Sequence, residues 1–383
     1  MRVALVSAWR PRPCPVAAFS AALSAGLEET GICEQPVRVV AASRYPGEAS
    51  YGSEVVAELC EGDPNSYREA AEVLNGLGVD AVLLQHEAGL YGAQDGYAIL
   101  DFARRLEPPL VTVVHSVRPD PTPTQRHVLI RLARRSRRVV ALSSRARGLL
   151  ESVYAVPAHK TALIPRGVQG PPPPEVVARA REQIGAEGRP VVVTPTVMGP
   201  GQGLELALEA IRLVRPAQPD LLYVVIGGTE PGERAARGET YRDHLQWWIR
   251  RLGLEGNVLL VGTHLSEEEL LAHLALADVV LLPAPRTATG AAAFLPQVLA
   301  LGKPVVSTPF GEAVDFLAGG AGILVTFGNA ESMARSLEAL LTSPALRQEV
   351  GRKALARRMT AWPDVARQYG ELLRATLASR PAR

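Results

Sequence analysis

Cysteine is scarce in this sequence, with three residues, Cys14, Cys33 and Cys60, among 383. None of them forms a Cys-x-x-Cys pair, and an odd count gives no disulfide framework, so a reducing, cytoplasmic setting is expected. Long apolar runs are lacking as well. Nothing approaches the roughly 20 apolar residues of a membrane span, and the run in Met1-Arg2-Val3-Ala4-Leu5-Val6-Ser7 is shorter than a signal-peptide core. The expectation is a soluble protein that is at most peripheral to a membrane. An excess of one charge is missing too: 41 Lys and Arg stand against 39 Asp and Glu, a net of +2. That balance argues against a nucleic-acid partner and for a small-molecule substrate.

Several catalytic signatures are absent. There is no Gly-x-Ser-x-Gly elbow for a serine nucleophile. His86-Glu87 lacks the second histidine of His-Glu-x-x-His, because Leu90 holds its place. No other group of His, Cys and carboxylates has metal-ligand spacing, so metal-free chemistry is expected.

What is present is aliphatic. Hydrophobic residues make up 47% of the chain, and the length suggests roughly two or three domains, each able to bury its own core. Short apolar runs recur over Val3 to Val6, Val37 to Ala41, Ala81 to Leu84, Leu110 to Val114 and Val139 to Leu142, with helical stretches between. Such runs mark buried parallel strands joined by crossover helices. The pattern pauses at Pro165-Arg166-Gly167 and at the prolines Pro171 to Pro174, a stiff composition suited to a linker. It restarts over Pro190 to Thr194, Leu221 to Gly227, Asn257 to Val261, Asp278 to Leu282, Pro304 to Ser307 and Gly322 to Val325. Two tandem doubly wound sheets follow, with domains at 1–168 and 169–358 and a C-terminal helix at 359–383 that packs back on the first domain. Ser266-Glu267-Glu268-Glu269 reads as a capping box, Gly302 as a helix stop, and the tail from Pro344 as two helices broken near Trp362-Pro363.

In open parallel sheets ligands bind beyond the carboxyl ends of strands, where glycines and helix N-termini offer free N–H groups. Four chemically rich loops fall there: Trp9 to Pro15, the Gln85-His86-Glu87 segment with Gly89, Tyr91 and Gly92, His115 to Gln125, and Gly199-Pro200-Gly201-Gln202-Gly203. The last is a phosphate cradle or a plain glycine-rich turn, since it has neither the Lys-Ser/Thr ending of a P-loop nor the dinucleotide order. His115 ends a strand, where an imidazole acts as acid, base or hydrogen-bond donor or simply completes the core. The arginines Arg131, Arg134, Arg135, Arg137 and Arg138 form a solvated face or touch anionic lipid or a phosphorylated substrate.

The segments LQHEAGLYGAQDG, VTVVHSVRPDPTPTQR, ALSSRARGLL and IPRGV carry a family likeness. It continues in order through GPGQGLELALEAI, LLYVVIGGTEP, ETYRDHL, VLLVGTHLSEEELLAHLALADVVLLP and LALGKPVVSTPFG. Together they resemble mannosyltransferase-like members of retaining glycosyltransferase family four. The resemblance implies a GT-B fold, in which two Rossmann-like doubly wound parallel-sheet domains face a central cleft. It also implies a nucleotide diphosphate sugar held mainly by the C-terminal half, an acceptor held mainly by the N-terminal half, retention of configuration, and neither metal nor further cofactor. The matched positions place His115 at the catalytic centre and Trp9, Arg12, His86, Glu87 and Tyr91 at the acceptor. Around the donor they place Val197, Gly201, Gln202, Gly203, Thr263, His264, Arg286, Thr289, Phe294, Leu295 and Gln297.

The donor side departs from the family pattern. Gln202 and Val197 stand where relatives commonly have a lysine and an arginine, and Thr289 and Gln297 where they have two glutamates. Ala291 to Leu295 replace a Ser-Gly-Thr turn, and Cys14-Pro15 replaces Cys-Gly. Arg286 and Arg166 are the cations that would compensate. The sequence therefore reads as a glycosyltransferase acting from a nucleotide sugar, GDP-linked in preference to UDP-linked, on a small-molecule or glycan acceptor. The alternative is a non-catalytic relative that binds a sugar nucleotide or a partner enzyme.

Overall fold

A computed structural model describes residues 1–12, 14–34, 36–262, 265–285 and 291–378. The chain divides into two compact units, one of Met1–Gly167 with Thr360–Arg383 and one of Val168–Met359.

The first unit is built on seven parallel strands: β1 Val3–Ser7, β2 Arg38–Ser43, β3 Val55–Cys60, β4 Ala81–His86, β5 Leu110–Val114, β6 Arg138–Ala141 and β7 Thr161–Leu163. Their order in the sheet is β3-β2-β1-β4-β5-β6-β7. Leu5 sits opposite Val39 on one side and Leu83 on the other, so β1 is central. Every residue of β1 and β4 is buried, as expected where helices cover both faces. Leu5, Leu83, Val111 and Val113 pack with Phe19, Leu23 and Leu27 of the helix Pro15–Glu29. Ala4, Val82 and Leu84 face the other way, toward Tyr67, Phe102 and Leu132.

The helix Trp362–Ala378 returns to this unit and lies on the helix Pro15–Glu29. It buries Val365, Ala366, Tyr369 and Leu373, a 3–4 spacing that gives one apolar stripe. The approach is close: a Cβ on Gly370 would sit 2.7 Å from Ile32 Cδ1, and one on Gly26 3.0 Å from Ala366 Cβ.

In the second unit six parallel strands run in the order β10-β9-β8-β11-β12-β13. They are β8 Val191–Pro195, β9 Leu222–Ile226, β10 Val258–Val261, β11 Val279–Leu282, β12 Val305–Ser307 and β13 Ile323–Leu324. The capping box forms as the sequence predicts: Ser266 Oγ accepts from the Glu269 N–H, and the Glu269 carboxylate accepts from the Ser266 N–H. Gly302 ends its helix at φ +65, and the tail helices span Pro344–Leu355 and Trp362–Ala378. The two strands the sequence pattern does not reveal, β3 and β7, lie at the two edges of the first sheet.

Candidate functional site

In both sheets the strand order reverses beside the first strand, between β1 and β4 and between β8 and β11. Such a reversal sends the two following loops in opposite directions and opens a crevice at the carboxyl edge. The loops of interest leave those strands.

At the edge of the first unit, β4 and β5 deliver Gln85, His86, Glu87 and His115. Alternation along β4 puts Gln85 on the face shared with Val111 and Val113, and His115 Nε2 meets Gln85 Oε1 at 2.9 Å. The imidazole is held edge-on by Phe19, centroids 4.8 Å apart. The Arg166 guanidinium lies 5.5 Å over the same phenyl ring and donates to the Pro15 carbonyl at 3.2 Å. Burial, helped by Arg166 and His86, pushes the His115 pKa down to about 3, so the ring is neutral at physiological pH. Its partner Gln85 is fully buried, and Gln85 Nε2 has no hydrogen-bond partner among the described residues.

His86 is also buried, at 5% exposure, with Nδ1 unpartnered among the described residues, and desolvation lowers its pKa to about 4. Glu87 accepts from Ser116 Oγ at 2.8 Å. Burial nevertheless raises its pKa, against the opposing pull of Ser116, the Ala88 N–H and Arg118. Three hydrogen-bonding side chains with shifted proton affinities thus stand at neighbouring strand ends, a pattern common where proton position matters. Arg12 reaches the same edge from the loop after β1 and donates to the Ala42 carbonyl at 3.2 Å.

The two aromatic members of the expected acceptor set are core side chains instead. Trp9 is 2% exposed and donates Nε1–H to Glu54 at 3.0 Å. Tyr91 is equally buried, its hydroxyl shared between the carbonyls of Gln85 at 2.6 Å and Val6 at 3.0 Å. An aromatic ring with its polar tip satisfied inside is a packing element. Tyr91 ties the ends of β1 and β4 together, directly beneath the crevice.

At the edge of the second unit, the loop after β8 is zipped to the loop after β9. Met198 pairs with Thr229, with Met198 N–H on the Gly228 carbonyl at 2.9 Å and Glu230 N–H on the Met198 carbonyl at 2.8 Å. Gly201 and Gly203 take left-handed φ values of +80 and +78. Gly203 then begins the helix Leu204–Val214, which no side chain among the described residues caps. A Cβ on Gly203 would lie 2.1 Å from the Pro283 carbonyl oxygen, so only glycine lets this helix start against the end of β11. The result is a helix N-terminus at the strand-order reversal whose first N–H groups no side chain among the described residues caps, a geometry suited to an anion. Val197 is half-exposed there, and Gln202 accepts a long bond from Thr196 Oγ1 at 3.4 Å.

The Leu295 region is packed differently from the expected donor contacts. Leu295 is fully buried and Phe294 packs partly against the core. The helix Leu295–Ala300 has only six residues, and Pro296 removes one of its early N–H donors. Gln297 is already occupied: its Oε1 accepts from the Gln169 N–H at 2.8 Å and its Nε2 donates to the Gln169 carbonyl at 3.0 Å. It clasps the start of the second unit instead of offering an amide to a ribose. Thr263, His264, Arg286 and Thr289 lie outside the described residues.

One cation escaped the sequence reading. Arg242 donates to the Leu260 carbonyl at 2.7 Å, and its guanidinium fills the space where a Cβ on Gly262 would be. Gly262 follows β10, so the arginine reaches the carboxyl edge through a missing side chain. Its only sequence signal is a glycine after a strand.

Residues 177–357 match the family of glycosyl transferases group 1, and residues 17–169 match glycosyltransferase family 4. A GDP-mannose-dependent alpha-(1-6)-phosphatidylinositol monomannoside mannosyltransferase of Mycolicibacterium smegmatis is 28% identical over 231 residues, which cover 58% of this chain. The chain spans 57% of the length of that relative. Among solved structures, sucrose-phosphate synthase from Thermosynechococcus elongatus superposes with a TM-score of 0.77 at 17% identity, covering 99% of this chain and 100% of that one. Anabaena HepE in complex with UDP and glucose gives 0.76 at 18% identity, with 98% and 100% covered.

Proposed function

We propose that this chain, which belongs to the GT-B glycosyltransferases of group 1 and family 4, transfers a sugar from a nucleoside diphosphate sugar to a small-molecule or glycan acceptor with retention of configuration. The observation that carries the reading is the helix N-terminus at Gly203, uncapped by any side chain among the described residues and set by two left-handed glycines at the strand-order reversal of the second unit. A helix N-terminus presents roughly half a positive charge together with free N–H groups. Each hydrogen bond to a charged oxygen there contributes about 1.5–3 kcal/mol. That is the stabilisation a leaving diphosphate needs as the sugar–oxygen bond breaks and the electron pair passes to phosphate.

With Gln202 and Val197 where relatives have cations, backbone dipoles carry more of the load. The reading routes no step through a metal. GDP is the favoured nucleotide, in keeping with the GDP-mannose-dependent relative. His115, neutral and fixed by Gln85 and Phe19, serves as a hydrogen-bonding group toward the sugar or acceptor, with Glu87, His86 and Arg12 on the acceptor side.

Titration calorimetry with GDP, UDP and dTDP, followed by mass spectrometry of a nucleotide-sugar mixture in EDTA, tests the reading. Binding of one diphosphate with consumption of its sugar form supports it, and binding of none overturns it. The engaged Gln297 and the absent cations favour a second reading, a sugar-nucleotide binder without turnover. Retention of a nucleotide sugar that is never consumed across a broad acceptor set would select that one.

A further inference from the structure

Gln85 lies near the carboxyl end of β4 with no exposure to solvent. Its neighbours on that face of the sheet, Leu83, Val111 and Val113, are aliphatic, and an amide in such surroundings is costly unless its polar atoms find partners. Among the described residues only Oε1 does: it meets His115 Nε2 at 2.9 Å, while the amide nitrogen has none. A leucine would pack here without that cost, so the role of the glutamine is to be sought at the imidazole.

Both partners are held from behind. The Tyr91 hydroxyl, set between the carbonyls of Gln85 and Val6, fixes the backbone from which the amide projects. The imidazole rests edge-on against Phe19, and Phe19 in turn meets Trp362 edge-on, centroids 5.1 Å apart. His115 is partly exposed, and its other nitrogen, Nδ1, makes no hydrogen bond among the described residues. In a neutral imidazole the bond made by one nitrogen decides which of the two carries the proton. With a carbonyl oxygen as partner the proton sits on Nε2, and Nδ1 keeps its lone pair.

We propose that Gln85 is a positioning residue that holds His115 in the Nε2–H tautomer, so that Nδ1 is left as a hydrogen-bond acceptor at the carboxyl edge of the first unit. On the sugar-transfer reading, on which this consequence rests, the ring receives a hydrogen bond from a substrate hydroxyl and gives none. An amide suits that task where a carboxylate would not. A glutamate at position 85 would draw a second proton onto the imidazole. The neutral amide leaves burial to keep the ring singly protonated, together with Arg166 and His86, the charged and titratable groups that act on it.

The experiment is nitrogen-15 NMR of the full chain with labelled histidine. Of the seven histidines, His115 is identified by the pair of ring signals missing from His115→Asn. Between about pH 5 and 8 the parent is expected to show a protonated Nε2 and an unprotonated Nδ1 throughout. Gln85→Leu leaves a buried N–H without its acceptor, so the tautomer ratio should shift about tenfold toward Nδ1–H. Gln85→Glu should make the ring doubly protonated at neutral pH, and it keeps the test intact should the leucine variant fail to fold; circular dichroism checks both. A parent ring protonated on Nδ1, which a reversed amide would produce, overturns the proposal. So does the parent's pattern retained in either folded variant. None of these readings needs a nucleotide sugar, so their failure is distinct from a failure of calorimetry to find a bound diphosphate.

Discussion

Replacing Gln297 by leucine separates two roles for one residue. Its amide makes two hydrogen bonds to the backbone of Gln169, at 2.8 and 3.0 Å. Both groups are half-buried, and each bond contributes about 0.5–1.5 kcal/mol net, so Gln297→Leu should cost about 2 kcal/mol. For a unit of this size each kcal/mol moves the midpoint by about 2–4 °C, which gives a fall of about 4–8 °C. Gln297→Glu, which restores the residue relatives carry, should also destabilise, since a carboxylate can accept from the Gln169 N–H but would face its carbonyl. Scanning calorimetry reads the midpoint, and titration with GDP and UDP reads the affinity. A leucine variant with an unchanged midpoint and a tenfold weaker nucleotide would refute the clasp and return Gln297 to the ribose.

Three other outcomes are expected. His86 holds its folded pKa near 4 against about 6.5 unfolded, so the unfolded chain binds more protons between those values and stability falls as pH drops from 6.5 to 4. The loss reaches at most about 3 kcal/mol; urea titrations across that window check it, and the slope should shrink in His86→Leu. Gly203→Ala should destabilise by more than about 3 kcal/mol, because it adds a contact 2.1 Å from the Pro283 oxygen to the strain of φ +78. Gly201→Ala, with open space around it, should cost only about 1–2 kcal/mol, so equal midpoints for the two would contradict the packing argument. Tyr91→Phe removes the hydroxyl between the carbonyls of Val6 and Gln85; a loss of about 1–3 kcal/mol with acceptor KM unchanged marks a structural tie, and a KM effect alone would mark a ligand contact.

The parts of the fold legible in sequence were the aliphatic runs, most of them buried on both sides, with the half-buried edge strands Val258–Val261 and Ile323–Leu324 read from composition alone. Strands such as Val3–Ser7 and Val279–Leu282 are unbroken aliphatic runs because helices cover both faces. Val55–Cys60 and Thr161–Leu163 are edge strands, half-buried for most of their length and mixed in composition, so no run betrays them. For the site, loop positions could be read but side-chain engagement could not. Trp9, Tyr91 and Gln297 look like ligand contacts until their hydrogen-bond partners are known, and Glu54, Val6 and Gln169 among those partners are distant in the chain. Gln85 could be placed in a chemically rich loop but given no role, because it works through His115, and Arg242 was invisible because it works through the absent side chain of Gly262.

The return of the helix Trp362–Ala378 to the first unit sets an order of events during synthesis. Between Gly167 and Thr360 the ribosome must make all of Val168–Met359, which at about 5–20 residues per second takes about 10–40 s. Throughout that interval the outward apolar stripe of the helix Pro15–Glu29, the seat of Val365, Tyr369 and Leu373, has no cover. The first unit to be made is therefore the last to be finished, and nascent chains stalled before Thr360 are the species a chaperone should hold.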